Sequence, residues 1–397
     1  MTKMAAALLA RANELAASFR TRSAEIEQVR YLPNEIAAAM AQAGLYRAPL
    51  PPDCGGAGVD PATMLHLIET IAGGDAAAGW CLMIGATAAI SAGRLPDRVV
   101  HQVFADPLTV TAGVFAPMGR ALPEDGQWRV RGCWGWGSGT RNAHWIFAGC
   151  LLMDGPADAE GRPTPRRLPS GQPDVTMMIL PAKDVLFHDT WQAMGLCGTG
   201  SGDFEVRDVL IPHEHAVSLF SSPVLRPGAC FAFPVFALLG LGIAAVALGI
   251  AGGALRDFAA LAGAKTPQGS SRRLAERATV QAEFAQAEAM VLAARSHLYA
   301  MVEAAMAELG PAAAGSAVSL QRRVALRQAA THAAHASAEA VKRLYTLAGG
   351  SAVFATSPLQ RAFRDVHVTT QHMMTGPATW EVIGRAGLGL PLDDAQI

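Results

Sequence analysis

From Cys230 to Leu255 the chain runs without a charged residue, and that stretch constrains the fold more than any other. A run this long and apolar either spans a bilayer or sits inside a helical core. It carries Pro234 and a scatter of glycines: Gly240, Gly242, Gly249, Gly252 and Gly253. Small residues at such spacing let helices approach closely in either setting. The flank before it offers only Arg226, and no second run of the kind is evident, so it reads as a buried bundle helix rather than a membrane anchor. The composition agrees. At 397 residues the chain can hold two or three domains, and 51% hydrophobic with 16% charged residues describes an ordered, compact protein. A net charge of -1 gives no reason to expect nucleic acid or an anionic membrane as partner. So low a charged fraction points to surface buried between subunits.

The six cysteines form no CxxC pair and no metal-type cluster, which suits reduced, buried thiols in a cytoplasmic protein. The histidines form no HExxH or related ligand pattern, so no metal is expected. The apolar start, Met4–Ala10, is broken by Arg11 and Glu14, as in an amphipathic helix and unlike a signal peptide.

Three textures follow one another along the chain. Residues 1–108 read as helices: Asn34 caps one that Pro33 leads in and Gly44 ends, Asp60-Pro61 opens the next, Asp75 opens one containing Trp80, and Pro96-Asp97 starts a fourth. Residues 109–225 hold short β-rich runs separated by Gly, Pro and Asp, as in a small barrel or sandwich, with Asp154–Asp174 a long surface excursion. Residues 226–397 return to long Ala-rich helices, Phe233–Ala262, Arg273–Leu309, Leu320–Leu347 and Leu359–Arg385, which suggest a four-helix bundle. The fold class is therefore α+β: an N-terminal helical domain, a central β domain and a C-terminal bundle.

Three local stretches could carry chemistry. They are Val114–Arg120 at the end of the first strand, Trp134-Gly135-Trp136-Gly137-Ser138-Gly139 after the second, and the Gly-rich turn Trp191–Ser201. Each sets small residues beside an aromatic, where backbone can approach a flat ligand, and each also suits a plain tight turn. There is no GxSxG, Walker loop or strand–GxGxxG–helix unit.

The order of these pieces resembles the acyl-CoA dehydrogenase superfamily over nearly the whole chain. Within it, the chain is most similar to the group D two-component flavin-dependent monooxygenases. The resemblance is carried by Pro117–Arg120, Trp136-Gly137-Ser138-Gly139, His144-Trp145, Met194-Gly195-Leu196 with Gly198-Thr199-Gly200-Ser201, and Ser357–Arg361 through Phe363–Val366 to Gln371-His372. It implies a flavin ring against Phe115–Pro117, Trp136 and Ser138, with Trp191 lining its far side. Ser138 stands where the family has a hydroxyl facing flavin N5, and a hydroxyl there can accept from N5–H. The resemblance also implies that Arg273 and the Gly349-Gly350 turn meet the flavin phosphate, often across a subunit contact. Arg272 and Arg277 compete with Arg273 for that role.

Dehydrogenases of the common type carry a glutamate soon after a Gln in the last helix, and it removes a substrate proton. Here Gln371 is followed by His372-Met373-Met374-Thr375-Gly376-Pro377, without a carboxylate, and Glu381 lies two to three helical turns further on. His372 falls where the monooxygenases place a histidine over the flavin, suited to deprotonating a phenol or indole or to protonating a peroxide. The resemblance thus implies a monooxygenase taking reduced FMN, or FADH2, from a separate reductase. O2 would add as a C4a-hydroperoxide and pass one atom to an aromatic or polycyclic small molecule. Trp80 and Met83 would help wall its pocket, and the assembly would be a homotetramer. Two other readings stay open: an FAD dehydrogenase or oxidase with its base relocated, and a non-catalytic binding module.

Overall fold

The computed structural model describes residues 2–154, 158, 162–310, 318–392 and 397. Five helices come first: α1 (Lys3–Val29), α2 (Asn34–Gln42), α3 (Pro61–Ala72), α4 (Ala76–Ala89) and α5 (Asp97–Val103). Seven strands follow: β1 (Thr111–Glu124), β2 (Gln127–Trp134), β3 (Trp145–Leu152), β4 (Val175–Pro181), β5 (Leu186–Phe187), β6 (Phe204–Pro212) and β7 (Ala216–Val217). The chain closes with α6 (Ala229–Ala232), α7 (Val235–Ala264), α8 (Ala278–Leu309), α9 (Leu320–Ala348), α10 (Pro358–Thr369) and α11 (Ala378–Gly387). Of the excursion expected at 154–174, residues 155–157 and 159–161 lie outside the described residues.

Local capping chemistry sets the starts of α3 and α4. Asp60 accepts from Thr63 N at 2.7 Å, and Asp75 accepts from Ala78 N at 2.9 Å. Asn34 does not cap α2; its side-chain oxygen accepts instead from Asn142 Nδ2, so a contact to the β domain takes the amide that the local pattern assigns to the helix. Because Asp75 is buried and holds the helix bearing Trp80, replacing it with Ala should cost about 1 kcal/mol or more. Thermal unfolding checks this, with Asp75→Asn, which keeps an acceptor for Ala78 N, recovering most of the loss.

The apolar run became α7, buried nearly throughout by α3, α4, α9 and α10. Gly249 lets it close on α3: a Cβ there would lie 2.3 Å from the Glu69 carbonyl. A second stretch, Ala76–Arg94, is also long and apolar enough to cross a membrane, which corrects the expectation that the run at 230–255 stands alone. The most apolar windows of these two helices are 83% (α7) and 89% (Ala76–Arg94) buried inside the fold. They are core helices.

The β domain takes the form of one seven-stranded mixed sheet, in the order β5-β6-β2-β1-β3-β4-β7. All pairs are antiparallel except β1 with β3. The β1–β3 ladder jumps from Val114↔Ala148 to Gly119↔Cys150, so Phe115–Met118 bulge out opposite Gly149 alone. A Cβ on Gly149 would sit 2.1 Å from the Phe115 carbonyl, so the bulge needs glycine beneath it. Trp134, fully buried, packs over Gly119 and Gly132 and donates to the Gly149 carbonyl at 2.7 Å.

The expected last helix, Leu359–Arg385, is two helices. α10 stops at Thr369 and α11 begins at Ala378. The hydroxyls of Thr369 and Thr370 donate to the carbonyls of Val366 and His367, and Pro377 has no N–H to continue the ladder. His372 therefore lies in a turn, not on a helix face. A seam ties the two ends of the chain together: Glu27 of α1 pairs with Arg361 at 2.7 Å and with Arg364, and Arg364 donates to Met194 O at 2.5 Å.

Candidate active site

Three elements meet at Ser138. α4 presents Trp80, whose indole N–H donates to Ser138 Oγ at 3.0 Å. The turn after β2 supplies Ser138 itself, and the loop before β6 supplies Ser201, whose Oγ lies 2.6 Å from that of Ser138. Thr199 Oγ1 lies 2.6 Å from Ser201 and donates onward to Leu196 O at 2.8 Å. The two loops are laced by Gly137 N to Gly202 O at 3.0 Å and Gly139 N to Thr199 O at 2.9 Å. Leu196 N donates to the buried carboxylate of Asp365 at 2.6 Å, and burial pushes that carboxyl up to about 7.

His372 faces this cluster, its ring centroid 5.9 Å from that of Trp80 in an edge-on arrangement. Its Nδ1 accepts from Met374 N at 3.2 Å, which fixes the neutral tautomer with the proton on Nε2. Burial, with the positive charge of Arg327 adding to it, pulls the imidazole down to about 4. At neutral pH the ring is uncharged and offers Nε2–H as a donor. Of the two roles expected for it, base or proton donor, this geometry favours the donor, because Nδ1 is taken and Nε2 already bears a proton. Arg327 of α9, buried and donating to Met374 O at 3.1 Å, is a neighbour that no local pattern signals.

The remaining expected residues divide. Trp136 stands 68% exposed with φ +67, its ring 5.6 Å from that of Trp191. Phe115 and Pro117 lie in the β1 bulge, and Phe115 packs with Phe220 and Phe236 at centroid distances of 5.8 and 5.2 Å. Met83 is buried against Gly242 of α7, one turn along α4 from Trp80. Arg273 is exposed, donating to Gly263 O at 3.3 Å and lying 3.7 Å from Glu276. Gly349-Gly350 sits at the far end of α9, where Lys265 Nζ bonds Ala348 O at 2.7 Å. From Arg327 to Ala348, α9 runs about 30 Å. One chain therefore brings Trp80, Ser138 and His372 together but holds Gly349-Gly350 far from them.

The donor set suits a flavin ring. A large exposed indole offers a stacking face, and Ser138 keeps one lone pair that no group among the described residues uses. Matches to known proteins point the same way. The acyl-CoA dehydrogenase N-terminal domain matches residues 2–93, and the acyl-CoA dehydrogenase C-terminal domain matches residues 241–377. The chain belongs to the acyl-CoA dehydrogenase family. Among proteins of this family's plan, it is 29% identical to an indole-3-acetate monooxygenase of Acinetobacter baumannii, over 94% of this chain and 91% of that one. It is 28% identical to the oxygenase component of an FADH2-dependent resorcinol hydroxylase of a Rhizobium species, over 98% and 96%. The solved HsaA monooxygenase of Mycobacterium tuberculosis superposes with a TM-score of 0.85 at 26% identity, over 99% of this chain and 100% of that one.

Within the acyl-CoA dehydrogenase plan, no carboxylate lies beside His372 among the described residues. Glu381 is exposed on α11, and Asp365 is committed to Leu196 N behind the loop.

Proposed function

We propose that the chain is the oxygenase component of a two-component flavin-dependent monooxygenase acting on an aromatic or polycyclic small molecule. The observation that carries the reading is the pairing of Ser138, buried with a spare lone pair, and neutral His372, offering Nε2–H beside the same Trp80 ring. A base for carbon acids is absent from this pairing; an acceptor and a donor suited to a reduced flavin and a bound oxygen species are present. The named relatives, an indole-3-acetate monooxygenase and a resorcinol hydroxylase, support the substrate class.

Reduced FMN, with FADH2 as the alternative, would supply the two electrons that activate O2 when bound. Ser138 would hold the N5–H edge, while Trp136 and Trp191 would flank the ring. His372 Nε2–H would donate to the oxygen being transferred or to a phenolate or indole of the substrate. Phe115, Phe220 and Phe236 would wall the substrate on its apolar side. Phe236 lies about one helical turn from Gly240, which packs against Met374, so this wall adjoins the His372 turn. A dry wall matters because reactive oxygen on a flavin is lost as peroxide when water reaches it.

A flavin reductase is the proposed partner, and cytoplasm the proposed compartment. A homotetramer is proposed because Arg273 and Gly349-Gly350, about 30 Å along the bundle, could then serve the phosphate of a flavin held by another copy.

The test uses protein loaded with reduced FMN, mixed with 18O2 and a phenolic or indolic substrate. One 18O atom is expected in the product and the other in water. No labelled product from any such substrate, with reduced flavin bound, would overturn the reading. Anaerobic bleaching of bound FAD by substrate would instead favour a dehydrogenase, and failure to bind either flavin would favour a binding module.

A further inference from the structure

The hydroxyl chain behind Ser138 has only one self-consistent direction. A carbonyl cannot donate, so the Thr199 proton must lie on Leu196 O, which also accepts from Trp191 Nε1 at 3.2 Å and Thr199 N at 3.1 Å. Each hydroxyl has one proton and two lone pairs. With its proton spent, Thr199 Oγ1 can only accept from Ser201 across their 2.6 Å contact. Ser201 in turn can only accept from Ser138. The Trp80 indole, a donor alone, occupies one Ser138 lone pair. Ser138 is left with one lone pair and no proton to give.

We infer that Ser201 and Thr199 are positioning residues that make Ser138 an obligate acceptor, so that the site selects reduced over oxidised flavin. This rests on the flavin N5 edge lying beside Ser138, as in the proposed function. N5 of reduced flavin carries a proton and meets the lone pair as a donor. N5 of oxidised flavin carries a lone pair of its own, so two acceptors face each other and neither is satisfied. All four side chains are buried, with relative exposures of 1–6%, so water cannot readily relieve the mismatch. An oxygenase that receives flavin already reduced by a partner gains from this selection, because the abundant oxidised form then competes poorly.

The test is the ratio of affinities for reduced and oxidised FMN, together with the midpoint potential of the bound flavin. Wild type is expected to bind the reduced form more tightly and so to raise the potential above that of free FMN. Ser201→Ala removes the acceptor for the Ser138 proton, freeing that hydroxyl to turn and donate to oxidised N5. The preference should fall about tenfold, which lowers the bound potential by about 30 mV for a two-electron couple. Thr199→Val lets Ser201 reverse and donate to Ser138, with the same sign, and serves as the second variant should Ser201→Ala fold poorly. Ser201→Thr keeps the hydroxyl and should keep both ratio and potential. A purely structural role would weaken both oxidation states alike and leave the potential unmoved, and that result in Ser201→Ala and Thr199→Val would overturn the inference. Equal affinity of wild type for the two forms would also overturn it, with the proposed function left standing. Failure of wild type to bind reduced flavin would sink the function itself, and the relay with it.

Discussion

Replacing His372 with alanine is expected to lower product formed per O2 consumed by about a hundredfold, with reduced-flavin binding little changed. The reduced flavin would still react with O2, but the oxygen would leave as peroxide, so peroxide yield should rise as hydroxylation falls. His372→Asn keeps an N–H donor on the same turn and should retain more coupling than alanine. The pH dependence separates donor from base. An imidazole acting as base with an ordinary titration would give a rate that climbs through about pH 6.5. With Nδ1 held by Met374 N and the pKa drawn down to about 4, His372 stays neutral across pH 6–9, so its contribution should be flat there. Stability carries the matching signature. Because the folded pKa is depressed, the unfolded chain takes up the proton first, so wild type loses stability as pH falls from about 6.5 towards 4. His372→Asn should lose less over that window. A steep rate limb near pH 6.5 that vanishes in the variant would reinstate the base.

The largest effect on stability is expected at Trp134. The ring is fully buried, stacks on Phe204 at 5.1 Å, and covers Gly119 and Gly132, where no side chain can fill the space it would vacate. Trp134→Ala should cost about 3–5 kcal/mol, read by thermal or denaturant unfolding. Its indole also holds the Gly149 carbonyl at 2.7 Å, directly under the Phe115–Met118 bulge. Trp134→Phe keeps most of the packing but drops that bond, and should cost about 1 kcal/mol. Reduced-flavin affinity should fall in both, because the bulge loses its support. Full stability in the alanine variant would show that the bulge is held by something else.

How legible all this was in the sequence depended on the range of the interaction. Asp60 and Asp75 cap their helices as the sequence suggests, because the donor and acceptor lie three residues apart. Asn34 resembles a cap but is not one, because its partner, Asn142, is far along the chain. The break after Thr369 escaped the Ala-rich texture, since it follows from threonine hydroxyls competing for carbonyls one turn back. The second long apolar helix is hard to see because Trp80, Thr87 and glycines dilute its hydropathy, although packing buries it as deeply as α7. At the site, Ser138 and His372 were legible only through family resemblance. Neither stands out locally. The stretch containing Thr199 and Ser201 was visible as a motif, but its polarity comes from the Leu196 carbonyl, which a sequence cannot orient. The distance separating Gly349-Gly350 from His372 follows from the unbroken length of α9.

The seam between α1 and α10 has a consequence for how the enzyme is made. Glu27 must wait for Arg361 and Arg364, and Leu196 must wait for Asp365, across sequence separations of 334, 337 and 169 residues. On the ribosome the early helices therefore emerge without the partners that complete the site, and contacts of such long range form late. A chain cut short before α10 would keep most of its apolar core but lack both clamps and His372. Such a fragment is expected to be inactive and prone to chaperone capture and proteolysis rather than to work as a slower enzyme.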